Sequence, residues 1–204
     1  MFKALAQALG RWWLAGPKYA VSRFLAGRDW TLRVDDALAL HGRTLAHCRT
    51  LEDVLGVFDG HEFWVSDKLW GAWDTVSPPL ILLNQGADDC DGNAMLHAQA
   101  INVALGPLDW KAVILTYLAD PWAESHHFAA ATDPGGQVWA VQPQTTAAQW
   151  AEYGHRMRLV FGPFKTYADA VQAIAACYPD VTAVCFDVRN DMFGALVPMA
   201  DLPA

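Results

Sequence analysis

Cysteine is scarce in this 204-residue sequence, and its few copies show no pairing pattern. No two cysteines form a Cys-x-x-Cys motif; the four are Cys48, Cys90, Cys177 and Cys185. A disulfide framework or a structural zinc site needs such paired spacing. The sequence therefore predicts a reduced setting, cytoplasmic or virion-associated, and neither a metal nor another cofactor.

Basic side chains are also scarce after residue 34. Residues 1–34 carry six basic side chains and one acidic one, a net charge of +5. The other 170 residues carry 8 basic and 21 acidic side chains, a net charge of −13 within a total of −8. Such an acidic body repels the phosphate backbone, so we expect no nucleic-acid partner.

Long apolar runs are missing as well. The N-terminal segment is interrupted by Gln7 and Arg11, so it predicts neither a transmembrane helix nor a secretory signal. Its apolar side chains fall on one helical face and are Phe2, Leu5, Leu9, Trp12 and Trp13. A basic amphipathic helix of this kind either packs on its own domain or docks, through residues 1–28, on a membrane surface or a partner protein.

The order of the predicted elements favours an α+β fold in three regions. Residues 1–60 predict a helical, basic extension, residues 61–155 the core, and residues 156–204 a β-α-β addition packed on that core. The elements that we predict are a capped helix from Thr50, a short strand at EFWV, a helix from Cys90 to Gly106, an apolar strand after Trp110, a hairpin around Asp133 to Gly136, a strand at Met157 to Phe161, a helix at Thr166 to Cys177 and a strand at Val181 to Val188.

The stretch QGADDCDGNA places Cys90 at the start of a predicted helix. The N–H groups and the positive end of the dipole in a first turn favour a thiolate. Asp89 and Asp91 oppose that effect, because nearby negative charge raises the pKa of a thiol. A nucleophile here therefore needs a cationic or hydrogen-bonding partner.

Two histidines meet that need. His126 and His127 open the first strand of the predicted hairpin, and Gln142 ends the second. A cysteine at a helix start that faces a strand histidine, itself held by a polar residue on the next strand, is typical of a cysteine–histidine nucleophile pair. The imidazolium would stabilise the thiolate against Asp89 and Asp91, and Gln85 or backbone N–H groups at the helix start would donate to an oxyanion.

The sequence gives less support to other assignments of its histidines. Successive strand residues point to opposite faces, so His126 is an alternative to His127 as the base. A metal site would combine both histidines with Asp120 or Glu124, but no second spaced histidine motif supports it. His97 follows Cys90 by seven residues, and we expect it at the surface or the edge of the core.

Two stretches resemble the bacterial transglutaminase-like cysteine proteinases. DTVSPPLILLNQGADDCDGNA is similar to the family's lead-in and GDCDD motif, and HFAAATDPGGQVWAVQP is similar to its His-containing hairpin; together they lie within residues 63–143. The resemblance implies a papain-like fold and a Cys–His–Asp triad. It assigns Cys90 as the nucleophile and His127 as the base, and it places Gln142 at the position of the aspartate.

The sequence departs from that family at the third position. Gln142 is neutral, so it can orient an imidazole but stabilises an imidazolium less than a carboxylate does. Asp88 also replaces a glycine, and Gly92 replaces an acid. We expect a cysteine-dependent hydrolase or acyl transferase that forms an acyl-enzyme on a peptide or other amide substrate, with peptidoglycan cross-links included by resemblance. The alternative is a weakly active or inactive structural or assembly protein of the same fold, such as a virion or phage-tail component.

Overall fold

The computed structural model describes residues 5, 8, 9, 12, 41–58, 63–64, 87–88, 90–118, 125–142, 160–176, 186–187 and 196–197. The elements in chain order are α1 (Leu51–Gly56), β1 (Phe63–Trp64), β2 (Ala87–Asp88), α2 (Cys90–Leu105), a short 3₁₀ helix (Gly106–Leu108), β3 (Lys111–Leu118), β4 (Ser125–Thr132), β5 (Val138–Val141), β6 (Val160–Phe164), α3 (Tyr167–Ala176), β7 (Phe186–Asp187) and β8 (Leu196–Val197). Residues 5, 8, 9, 12 and 41–45 are also helical. Within these parts of the chain, no helix combines the length and the apolar character needed to cross a membrane.

Four strands form one antiparallel sheet in the order β3-β4-β5-β6. The predicted hairpin is confirmed as β4 and β5. The predicted strand at 157–161 is observed as Val160–Phe164, with residues 157–159 outside the described parts. Two further pairs accompany the sheet: β1 runs parallel to β2, and β7 antiparallel to β8.

Helices cover both faces of this sheet, which confirms the α+β class. On one face, α2 packs between the sheet and α1, in a cluster that includes Leu55, Ile101 and Ile114. On the other face, α3 packs Val171 and Ile174 against the sheet in a second cluster. Strands supply both clusters because their successive side chains point to opposite faces.

The helix α2 is buried on most of its surface. It begins at Cys90 and ends before Gly106-Pro107, as predicted, and every residue from Asp91 to Ala98 is buried. Small side chains line both partners here: Ala94 and Ala98 on α2, and Ala129 and Ala131 on β4. A helix with neighbours on most sides shows little amphipathic pattern.

The β4–β5 turn is held by the side chain of Asp133. One carboxylate oxygen accepts hydrogen bonds from the backbone N–H groups of Gly135 and Gln137, both at 2.9 Å, and the other accepts from Trp139 Nε1 at 3.1 Å. Burial acts to raise the pKa of Asp133, but these hydrogen bonds outweigh it and lower the pKa below its usual value. The turn thereby fixes the register of the hairpin that carries the candidate histidines.

Two helix caps follow the sequence closely. Thr50 and Asp53 form the predicted capping box of α1, each side chain bonding the backbone N–H of the other. At α3, Thr166 Oγ1 accepts from the N–H of Asp169 at 3.1 Å, and the helix that follows is Tyr167–Ala176. These reciprocal bonds satisfy N–H groups that a helix start leaves open.

Candidate active site

Cys90 is the first residue of α2 and is partly exposed. Cys48 is buried, and its thiol donates to the carbonyl oxygen of Thr44 at 3.5 Å. Burial raises the pKa of Cys48, Asp53 raises it further, and Arg49 acts in the opposite direction. The two thiols therefore differ in access, and Cys90 has the position at a helix N-terminus that favours a thiolate.

The alternation of β4 separates the two adjacent histidines. Ala129 and Ala131 belong to the cluster packed on α2, whereas Phe128 belongs to the cluster packed on α3. The pairing of β4 with β3 is continuous over the whole strand, so this alternation is unbroken. His127 therefore lies on the α2 face with the odd-numbered residues, and His126 lies on the α3 face.

The Asn102 contact and the strand pairing lead us to expect His127 near the Cys90 end of α2. At the other end of α2, the side chain of Asn102 forms two hydrogen bonds of 2.8 Å with the backbone of Ala112. These bonds fix the position of α2 along β3. From Asn102, the helix rises about 18 Å back to Cys90. From Ala112, β3 advances about 13 Å to the residue paired with His127. We therefore expect His127, on the sheet face that packs against α2, to lie near the end of α2 that carries Cys90.

Gln142 contacts His126. The Nε2 atom of His126 lies 2.8 Å from Oε1 of Gln142. An amide oxygen only accepts, so Nε2 of His126 is the donor and carries the proton. The hydrogen bond that the structure gives Gln142 is therefore with His126, and its role as the partner of His127 stays a prediction. The physical reason is the strand register. Ala129 pairs with Val141, and both lie on the α2 face, so the next residue, Gln142, lies on the α3 face.

The environment of His126 does not suit a base. Its ring stacks on Phe128 with centroids 6.2 Å apart, on the α3 face. Burial lowers the pKa of His126 to about 4, and the hydrogen bond that His126 donates to Gln142 opposes that shift. An imidazole with so low a pKa stays neutral at pH 7 and has little tendency to carry the thiol proton.

Buried polar side chains concentrate around this end of α2. Among the buried polar or charged residues of the described parts, Asp91, Asn93 and His97 lie in the first half of α2 and His127 on the strand face packed against it, whereas Gln142 lies on the α3 face. Burying such groups costs free energy, so their concentration marks a candidate functional site. Asn93 was not singled out from the sequence, where only its place one turn after Cys90 could have indicated it.

His97 was expected at the surface or the edge of the core, and this expectation is wrong because its side chain is fully buried. Seven residues after Cys90, it lies about 10 Å further along the helix axis, beyond hydrogen-bond reach of the thiol. The reason for its burial is the central position of α2, whose first half has neighbours on most sides. His97 is therefore not a candidate base for Cys90.

A metal shared by His126 and His127 does not fit this arrangement, because the two side chains lie on opposite faces of the sheet. Across the described parts of the chain, no group of three His, Cys, Asp or Glu side chains is placed to hold an ion. Other predicted site residues lie outside the described parts: Gln85, Asp89, Asp120 and Glu124.

Comparisons with known proteins leave the family open. No family model matches the sequence, and a search of curated proteins found no match. Among solved structures, the chain is similar to a candidate protease from Parabacteroides distasonis, with 12% sequence identity and a TM-score of 0.41. The similarity covers 96% of this chain and 32% of that one, so this chain spans about a third of its length. Function is therefore inferred from the geometry of this chain.

Proposed function

We propose that this protein is a cysteine-dependent hydrolase or acyl transferase that acts on amide bonds, with a papain-like arrangement of helix and sheet. The observation that carries this proposal is that Cys90 begins α2 and is partly exposed, whereas His127 is buried on the strand face that packs against α2. A thiol and an imidazole placed in this way form the nucleophile pair of thiol acyl transfer.

The chemistry follows from these two groups. His127 takes the proton of the Cys90 thiol, and the thiolate attacks the carbonyl carbon of an amide. The imidazolium then gives its proton to the leaving amine as the C–N bond breaks, which leaves a thioester on Cys90. Water, or an amine in the transferase case, attacks the thioester, and His127 accepts the proton of that nucleophile.

The oxyanion that forms in each step needs hydrogen-bond donors. We expect a backbone N–H group near Cys90, at the start of α2, to donate to the substrate oxygen. Gln85 remains a predicted second donor. The partial positive charge of the helix start acts in the same direction.

Gln142 has a different role in this proposal from the one that the hairpin motif implies. It holds His126 on the far face, where the bond ties the first residues of β4 to the end of β5. This contact supports the strand segment that carries His127 but does not touch the reacting groups. Gln142 and His126 are therefore positioning residues.

The test is alkylation by iodoacetamide across pH, with each modified cysteine identified by mass spectrometry. Only thiolate reacts at an appreciable rate, so Cys90 should react about tenfold faster than Cys48 at pH 6–7. In the His127→Gln variant, the midpoint of the Cys90 pH–rate profile should move up, because the imidazolium is lost. The matched His126→Gln variant should leave that midpoint in place.

Results that contradict the proposal would each have a different consequence. A silent Cys90, or equal rates for Cys90 and Cys48, would remove the enzyme proposal and favour an assembly protein of the same fold. A midpoint that moves with His126→Gln and not with His127→Gln would transfer the base to the α3 face. Circular dichroism of both variants controls for loss of structure.

A further inference from the structure

We propose that the N-terminal segment, in which residues 5, 8, 9 and 12 are helical, binds the surface of an anionic lipid bilayer. The proposal concerns a surface separate from the Cys90 site and does not depend on the proposed function. It rests on three exposed apolar side chains, Leu5, Leu9 and Trp12, which we call the N-terminal stripe.

The members of the stripe are helical and open to solvent. Leu5 and Leu9 are each 56% exposed, and Trp12 is 62% exposed. Their spacing of four and then three residues places them within about 60° of one another around a helix. Apolar side chains aligned and exposed in this way form a patch that water solvates poorly, so it is suited to binding.

Charge decides the kind of surface that the stripe fits. The first 34 residues carry a net charge of +5, whereas the rest of the chain carries −13. In the sequence, Lys3 and Arg11 lie at positions that fall off the stripe at helical spacing. An apolar face bordered by basic residues lies in the headgroup region of a bilayer, where it gains from anionic lipids.

Tryptophan strengthens this assignment. Its ring combines a large apolar surface with an N–H group, and it is enriched at the boundary between headgroups and acyl chains. Trp12 ends the stripe and is its most exposed member. A face with Trp12 and two leucines matches the composition of interfacial helices.

The acidic body sets the orientation of the bound protein. A net charge of −13 is repelled by an anionic bilayer, but salt screens this repulsion beyond about 8 Å. The N-terminal helix would therefore contact lipid while the body stays on the water side.

The experiment is co-sedimentation of the full chain with vesicles of phosphatidylcholine alone and of phosphatidylcholine with phosphatidylserine. We expect binding to the anionic vesicles, a weaker signal with the neutral ones, and a decline as salt rises from about 0.05 M to about 0.5 M. Trp12→Glu and Leu9→Glu should each weaken binding about tenfold or more, because each places a carboxylate at the lipid boundary. Lys3→Gln combined with Arg11→Gln should weaken binding to the anionic vesicles selectively.

The matched control is Val103→Glu. Val103 is an apolar side chain on the body, 48% exposed on α2, so this variant makes the same kind of change away from the stripe. It should keep its vesicle affinity. The stripe variants should keep the melting temperature of the parent protein, because the altered side chains are exposed.

Three results would overturn the proposal. The first is an absence of binding to anionic vesicles. The second is equal loss of binding in Val103→Glu and Trp12→Glu. The third is a stripe variant that unfolds at lower temperature or loses a concentration-dependent dimer, since the stripe would then contact protein.

Discussion

His126 and His127 are adjacent in the sequence but lie on opposite faces of one sheet. His126 donates to Gln142 and stacks on Phe128, and burial lowers its pKa to about 4. His127 is buried on the face that packs against α2. Their chemistry therefore differs because the strand sends successive side chains in opposite directions.

Replacing Gln142→Asp tests this separation at the level of single residues. A carboxylate beside His126 favours the imidazolium, so the pKa of His126 should rise, while the pH–rate profile of Cys90 alkylation should not move. NMR titration of the histidine rings and alkylation at Cys90 measure the two quantities. The shorter side chain can weaken the contact, so Gln142→Glu serves as the length-matched control. A shift in the Cys90 profile with either variant would place residue 142 on the His127 face.

Among the elements, α2 and β3 are joined by one side chain at the end remote from Cys90. Asn102 Nδ2 donates to the carbonyl oxygen of Ala112, and the N–H of Ala112 donates to Asn102 Oδ1, both at 2.8 Å. Because β3 is the outer strand of the four-stranded sheet, these backbone groups face away from β4. The contact thereby fixes the position of α2 along β3.

Asn102→Ala should destabilise the protein through loss of this contact. The substitution removes two hydrogen bonds that contribute about 1 kcal/mol each to stability. The better helix propensity of alanine offsets about 0.5 kcal/mol of this loss. We expect the free energy of unfolding to fall by about 1 to 2 kcal/mol, measured by urea denaturation. Gln99→Ala removes an amide from the same helix at a partly buried position and should cost less. Equal losses in the two variants would contradict a specific role for Asn102.

At the scale of the whole molecule, His126 makes stability depend on pH. Its pKa is about 4 in the folded state against an ordinary value of 6.5, so the unfolded chain binds the proton first as the pH falls. The contribution to stability is complete above about pH 6.5 and is lost between that value and about pH 4. Because His126 as a whole residue is half-buried, we expect this loss to amount to about 1 to 3 kcal/mol.

The comparison of wild type with His126→Gln isolates this contribution. Glutamine does not titrate, so the variant should show a flatter dependence of unfolding free energy on pH between 6.5 and 4. Urea denaturation at several pH values measures both slopes, and the other histidines are common to both proteins. Parallel curves would mean that the pKa of His126 is not lowered by folding.

Local signals in the sequence were sufficient for most of the described elements. The start of α2 at Cys90, its end at Gly106-Pro107 and the capping box at Thr50 each depend on neighbouring residues only. The hairpin around Asp133 is of the same kind, since its carboxylate bonds to groups within six residues. Such contacts are predictable because the residues that make them are fixed by short-range geometry.

The sequence by itself determined the α+β class, the hairpin and the position of Cys90 at a helix start. Tertiary structure decided which histidine shares a face with Cys90, because that depends on the pairing of Ala129 with Val141 and a shift of one residue would exchange the faces. It also decided the burial of His97 and the contact of Asn102 with Ala112, which require α2 to be packed against the sheet and α1. The spacing of neighbouring residues determines neither the strand register nor the packing partners of a helix, since both arise from contacts between elements distant in sequence.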